Sequence, residues 1–127
     1  MNGLLAVAAG GAIGATFRYL LVLRFQLWTG VGFPYGTLAV NLIGSAAVGC
    51  LYVLAVERGM LSETARLALV VGVLGSFTTF SSFSLETITL VEQQRIAAAV
   101  TYVFSSVSLC LLGAWLGLTL TKMATHA

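Results

Sequence analysis

The chain has 127 residues, of which 59% are hydrophobic and only 8% charged, with a net charge of +2 and a mean hydropathy of +1.03. Soluble domains carry about 25% charged residues, so this composition excludes a water-soluble fold and gives no argument for nucleic-acid binding. The absence of aspartate, with a lone His126 at the C-terminal end, leaves no Ser-His-Asp or Cys-His constellation, and an enzyme is not expected.

Charged residues divide the sequence into four hydrophobic runs, approximately 3–23, 33–56, 61–91 and 96–120. Each is long enough to cross a bilayer, which takes about 20 residues at roughly 1.5 Å per residue. The expected fold is an all-α membrane protein with four transmembrane helices in a single domain, short connections and no extramembrane module. No cleavable leader is expected, because no charged segment precedes the first apolar run.

The first run contains Gly10-Gly11-Ala12-Ile13-Gly14-Ala15-Thr16-Phe17-Arg18-Tyr19. Arg18 comes late in it and either snorkels to the interface or lines the mouth of a pathway, where its field would concentrate anions. Small residues one turn apart, Gly10 with Gly14, Ser45 with Gly49 and Gly113 with Gly117, predict helices whose backbones approach closely in lipid. The second run opens on Pro34, which suits a first helical turn. Asn41 lies inside it, with Ser45 one turn on. An amide there either bonds a neighbouring helix or offers its N–H2 to an anion.

The third run is the unusual one. Gly75-Ser76-Phe77-Thr78-Thr79-Phe80-Ser81-Ser82-Phe83-Ser84-Leu85-Glu86 sets six hydroxyls, three phenylalanines and a carboxylate in apolar surroundings. Two readings stand. The helix stays intact and its hydroxyls bond back to the preceding turn, or it breaks around Gly75 to Thr79, because glycine is permissive and Ser/Thr side chains compete for backbone groups. A break frees N–H groups and carbonyls, tolerable only against protein, water or an ion. Phe80 and Phe83 share one face. They pack or face lipid, or they turn their positive ring edges toward a small dehydrated anion. Glu86 snorkels or accepts a hydrogen bond from another helix. In the fourth run Tyr102, Ser106 and Cys110 follow at one-turn spacing. Cys50 and Cys110 read as buried thiols, neither bridged nor metal-binding.

Four spans place Arg58, Arg66 and Lys122 on one side and Arg18, Arg24 and Arg95 on the other. Three against three gives the positive-inside rule no preferred orientation. Insertion both ways up is expected, with an antiparallel homodimer as the natural assembly; the alternative is that Arg18 lies within the helix and does not count, which leaves a weak bias.

These segments resemble the Fluc (CrcB) family of small fluoride channels. The run from Gly10 to Tyr19 is similar to that family's GGxxGAxxR start. Pro34-Tyr35-Gly36-Thr37-Leu38-Ala39-Val40-Asn41-Leu42-Ile43-Gly44 resembles its P-x-GTLxVNxxG segment, and Gly75 to Glu86 its G-x-x-TTFS-[ST]-FSxE segment. The fourth helix matches loosely, through Tyr102 and Ser106.

The resemblance implies a dual-topology antiparallel homodimer in the bacterial cytoplasmic (inner) membrane, with the third helix broken near its middle. Its partners would be the lipid bilayer, a second copy and the fluoride ion, which it would conduct passively through two pores and so export. Phe80 and Phe83 would line the pores, Asn41 would donate to fluoride, and Thr79, Ser81 and Ser82 would flank the path. Glu86, Tyr102 and Ser106 would continue a polar track. The carbonyls of Gly75 and Thr78 from both subunits would hold a structural Na⁺ on the two-fold axis. The alternative is a small dual-topology, proton-coupled exporter of the multidrug type, which needs a membrane-embedded carboxylate. The first span offers none, and Glu86 is the only one well inside any span.

Overall fold

A computed structural model of the protein describes residues 2–126, the side chain of His126 excepted, so the solitary imidazole noted in the sequence lies outside the described residues. Four stretches are helical, long and apolar enough to cross a membrane: Asn2–Thr29, Tyr35–Glu57, Glu63–Glu92 and Ile96–Thr125. We number the helices α1 (Asn2–Thr29), α2 (Tyr35–Glu57), α3 (residues 63–77), α4 (Phe80–Glu92) and α5 (Ile96–His126). The third stretch is two helices, not one.

The first and last helices outrun their apolar sequence, and a backbone signal, not a charge, ends the first. The first hydrophobic run closes near Leu23, yet α1 continues to Thr29 and stops at Gly30, whose φ of +75° is the left-handed conformation that terminates helices. Arg24 rides over the Trp28 ring one turn on, 4.8 Å from its centroid, a cation–π contact that supports the extra turns. Pro34 sits just before α2 and not in its first turn. The last turn of α2 (Val53–Glu57) and the Leu67–Leu74 section of α3 are wound as π-helix. Ser62 caps α3 by accepting from the Ala65 N–H at 3.2 Å.

Packing joins α1 to α3 and α2 to α5, with α4 against α5. Glycines make the first two pairings possible. A methyl group on Gly10 or Gly14 would run into the carbonyls of Ala68 and Val73, and one on Gly49 or Gly117 into those of Ala114 and Ala46. Without a hydrophobic force between helices in lipid, such close backbone approach supplies the dispersion contact that holds them. Gly113 is less constrained, its tightest neighbour being the tip of Leu42 with the Leu42 carbonyl and Ala46 N in ordinary contact, and Ser45 lines a cavity.

The connections cluster at two ends. Lys122 pairs with Glu57 at 2.7 Å, bringing the end of α5 to the α2–α3 turn. At the other end Arg95 donates to the Gly32 carbonyl, tying the α4–α5 turn to the α1–α2 loop.

Candidate functional site: a polar track beside an interrupted helix

The interruption falls at Thr78 and Thr79, both extended (ψ 157° and φ −152°). Gly75 itself is helical, with φ −61° and ψ −32°. Hydroxyl capping, not glycine freedom, therefore makes the break. Thr79 is the N-cap of α4 and its Oγ1 accepts from the Ser82 N–H at 3.2 Å. Beyond the cap the other expectation holds: Ser84 and Thr87 donate back to the Phe80 and Phe83 carbonyls at 2.9 and 2.7 Å. The helix does not stay intact, but the back-bonding expected of an intact one persists on both sides of the break.

Asn41 clamps the break. Its Nδ2 donates to the Thr79 carbonyl at 3.1 Å, and its Oδ1 accepts from the Thr79 N–H at 2.8 Å. One amide N–H remains for other partners, since Asn has two donors. These bonds divert the donors that a continuous helix would aim at the preceding turn. The Thr79 N–H would normally meet the Gly75 carbonyl and the Ser82 N–H the Thr78 carbonyl, so both oxygens are released. The Arg18 Nη1 lies 3.5 Å from the Thr78 oxygen, at the outer limit of a hydrogen bond. Arg18 is thus half-buried beside the break and does not snorkel away from it.

A cavity of about 510 Å³ opens at this point, with Asn41, Gly75, Thr78, Thr79, Phe80, Phe83, Ser106 and Cys110 on its wall. The hydroxyls of Thr79, Ser81 and Ser82 form one cluster, Thr79 Oγ1 lying 3.3 Å from Ser81 Oγ and donating to Ser82 Oγ at 3.0 Å. Ser106 is only 6% exposed, and its Oγ is unpartnered among the described residues. Such an orphan costs about 1–3 kcal/mol unless a water or ligand meets it.

Aromatic rings continue from the cavity. Phe80 and Phe83 lie 5.3 Å apart between centroids, Phe83 and Tyr102 5.2 Å, and Tyr102 and Phe33 5.5 Å. Phe80 is 78% exposed in the single chain, Phe83 half-buried and Tyr102 fully buried. Phe77, the third phenylalanine of the series, turns instead into an apolar groove with Phe17 and Ile43.

Glu86, one turn beyond Phe83, accepts two hydrogen bonds: Thr37 Oγ1 donates to Oε1 and the Tyr102 hydroxyl to Oε2, both at 2.7 Å. Thr37 and Glu86 border a second cavity of about 240 Å³, which reaches Gly32, Phe33 and Arg95 at the end of the molecule. The structure thus brings together Asn41, Thr79, Ser81, Ser82, Phe80 and Phe83 at the break, and Glu86 with Tyr102 one turn further. It adds Thr37 and Phe33. Thr37 lay within a quoted motif but carried no visible reason to bond Glu86, 49 residues away. Phe33 stood outside every motif.

Cys50 and Cys110 are both free. Cys50 donates weakly to the Gly117 carbonyl at 3.5 Å, between α2 and α5.

Fold and site together define a multi-pass membrane protein of minimal size, whose interrupted span carries hydrogen-bond donors and aromatic rings at membrane depth. A family model described as CrcB-like protein, Camphor Resistance (CrcB), matches residues 5–118. The chain belongs to the CrcB family. A relative from Roseiflexus sp. (strain RS-1) is 54% identical over 115 residues, covering 90% of this chain and 92% of its own. Relatives from Magnetococcus marinus and Geobacter sulfurreducens are 47% and 44% identical, covering 92% and 93% of this chain and 95% of each of theirs. All three bear the name fluoride-specific ion channel FluC.

Proposed function

We propose that the protein is a passive, fluoride-selective channel that exports F⁻ from the cytoplasm of a bacterial cell, working as an antiparallel pair with two pores in the inner membrane. The observation that carries this reading is the cavity at the break, where amide and hydroxyl donors meet two phenylalanine rings. Curated relatives named as fluoride channels point to the same ion.

Fluoride is small and strongly hydrated, so its passage requires a dense series of replacement donors. The spare N–H of Asn41 and the Ser82 hydroxyl would offer them at the break, the Thr79 and Ser81 hydroxyls turning from their own cluster to join in, and the orphan Ser106 hydroxyl would offer another beside the cavity. Edges of Phe80 and Phe83 carry the positive part of the ring quadrupole and stabilise an anion without covalent chemistry. From Phe83 the path continues to Tyr102 and Thr37, whose hydroxyl protons Glu86 holds in place. An anion reaching that point competes with Glu86 for the same two protons. It then leaves through the second cavity toward Arg95.

No coupling is needed. Neutral HF crosses lipid and dissociates inside, and a negative-inside potential expels the anion with about 2.3 kcal/mol per 100 mV. The proton-coupled exporter has no support: the carboxylate it would require is here tied to two hydroxyls in the second half of the third span.

Pairing is supported by two features. Phe80, which would line the pore, is 78% exposed in one chain. With Arg18 held beside the break, the positive charges at the two ends, Arg58, Arg66 and Lys122 against Arg24 and Arg95, leave only a small orientation bias. The carbonyls of Gly75 and Thr78 would hold a structural Na⁺, since the break releases both oxygens, with the Arg18 guanidinium near the Thr78 oxygen displaced by the ion. Two oxygens are few for a cation, so a second copy would complete the set and the ion would screen the carbonyls facing each other across the axis.

Liposomes containing the purified protein test the function. Electrogenic fluoride efflux with chloride retained is expected, and comparable chloride efflux defeats the selectivity. Accessibility of tags at both termini from both membrane faces tests the pairing, and a single orientation removes it.

A further inference from the structure

The wall of the larger cavity carries a reactive group with no role in the reading above. Tyr102, Ser106 and Cys110 project from α5 at one-turn intervals, and Ser106 and Cys110 both face the cavity. The Ser106 Oγ is 94% buried by residue and unpartnered among the described residues, since Ser106 is 6% exposed. A buried hydroxyl persists without a protein partner when water or a solute meets it. A small polar solute entering the cavity would supply that partner. Cys110 lies one turn further on, half-buried and free, with Val107 and Leu111 exposed beside it.

Cys50 is the internal contrast. It sits where Gly49 and Gly117 bring the backbones of α2 and α5 into contact, with its Sγ on the Gly117 carbonyl. It is on the wall of neither cavity of the track nor of the apolar groove at Phe77.

We infer that Cys110 is a covalent-modification site on the conduction wall, open to small neutral thiol-directed electrophiles, and that its modification blocks the ion path. The block rests on the channel reading; the accessibility of the thiol does not. With methyl methanethiosulfonate the Cys110 sulfur attacks the sulfenyl sulfur and a Cys110–S–S–CH₃ bond forms. The reagent's S–S bond breaks, methanesulfinate leaves with the electron pair, and the thiol proton passes to water. The added S–CH₃ group takes up space in the cavity that Ser106, Phe80 and Phe83 also line, and it replaces a weak donor with an apolar cap.

The test uses the full chain in liposomes, treated with methyl methanethiosulfonate and followed by peptide mass spectrometry and fluoride efflux. Expected are one adduct per chain, on Cys110, loss of most of the flux, and recovery of both with dithiothreitol. C50S keeps untreated flux, adduct and block. C110S takes no adduct, and reagent leaves its flux at its own untreated value. An adduct on Cys50 alone, no adduct, or a Cys110 adduct with unchanged flux overturns the inference, as does equal block of C110S. If C110S fails to fold, adduct mapping and flux on wild type and C50S decide. Absent flux in the untreated protein sinks the channel reading alone, and labelling of Cys110 still reports on access.

Discussion

Asn41 holds the break together, and its removal has a calculable cost. In Asn41→Ala two hydrogen bonds vanish, the 3.1 Å bond to the Thr79 carbonyl and the 2.8 Å bond from its N–H. Thr79 is 7% exposed, so neither backbone group regains water freely. Each orphaned group costs about 1–3 kcal/mol, which gives roughly 2–6 kcal/mol for the pair. That is a large share of an ordinary stability of about 5–15 kcal/mol. Thr79→Ala makes the comparison, since it removes the N-cap acceptor but leaves the clamp, at about 1 kcal/mol. Denaturant unfolding in detergent micelles measures both, and fluoride efflux from liposomes reports whether the surviving fold still conducts. Asn41→Ala is expected to be the more destabilised variant and to lose flux. If it stays within about 0.5 kcal/mol of wild type, the size of an ordinary surface change, or if Thr79→Ala costs more, the clamp is not what holds the break.

Phe83→Ile removes the ring quadrupole from the cavity wall but keeps an apolar side chain. Flux should fall while the unfolding midpoint moves little, and unaltered flux takes Phe83 out of the path. Tyr102→Phe deletes one of the two donors to Glu86, a charge-assisted bond worth about 1.5–3 kcal/mol. It should lower both stability and efflux, with Thr37→Val acting in the same direction; wild-type behaviour in both would show that Glu86 needs neither. Gly14→Leu drives a side chain into the Val73 carbonyl, and overpacking of this kind costs about 1–3 kcal/mol or more. Gly113→Leu, whose one severe clash is with the tip of the Leu42 side chain, should be milder, and a reversed order would contradict the packing.

The four-helix plan was legible because lipid imposes it. Apolar runs of bilayer length can only be helices, and small residues one turn apart mark close backbone approach. Helix ends were less legible: Gly30 carried the stop for α1, but the charges nearer Leu23 drew attention first. The break was legible to within a few residues, Gly75 to Thr79, and falls at the hydroxyl end of that range: Gly75 stays helical, and the chain opens at Thr78–Thr79 because Asn41 takes the Thr79 peptide. That partner lies 38 residues away in sequence, so no local pattern announces it.

The same distance effect governs the rest of the site. Residues grouped by one helix face, such as Phe80 with Phe83 or Tyr102 with Ser106, follow from the 3.6-residue period alone. Contacts between helices do not, and Thr37 with Glu86 is the clearest instance. At membrane depth a carboxylate needs donors, so Glu86 predicts that hydroxyls converge on it. Which ones depends on how α2 and α5 cross, and that crossing is set by Gly49 and Gly117 on the far side of the pair. A glycine contact that touches no ion thereby fixes which two hydroxyl protons meet the carboxylate. Mutations at Gly117 should therefore disturb the Glu86 end of the track without altering any residue that lines it.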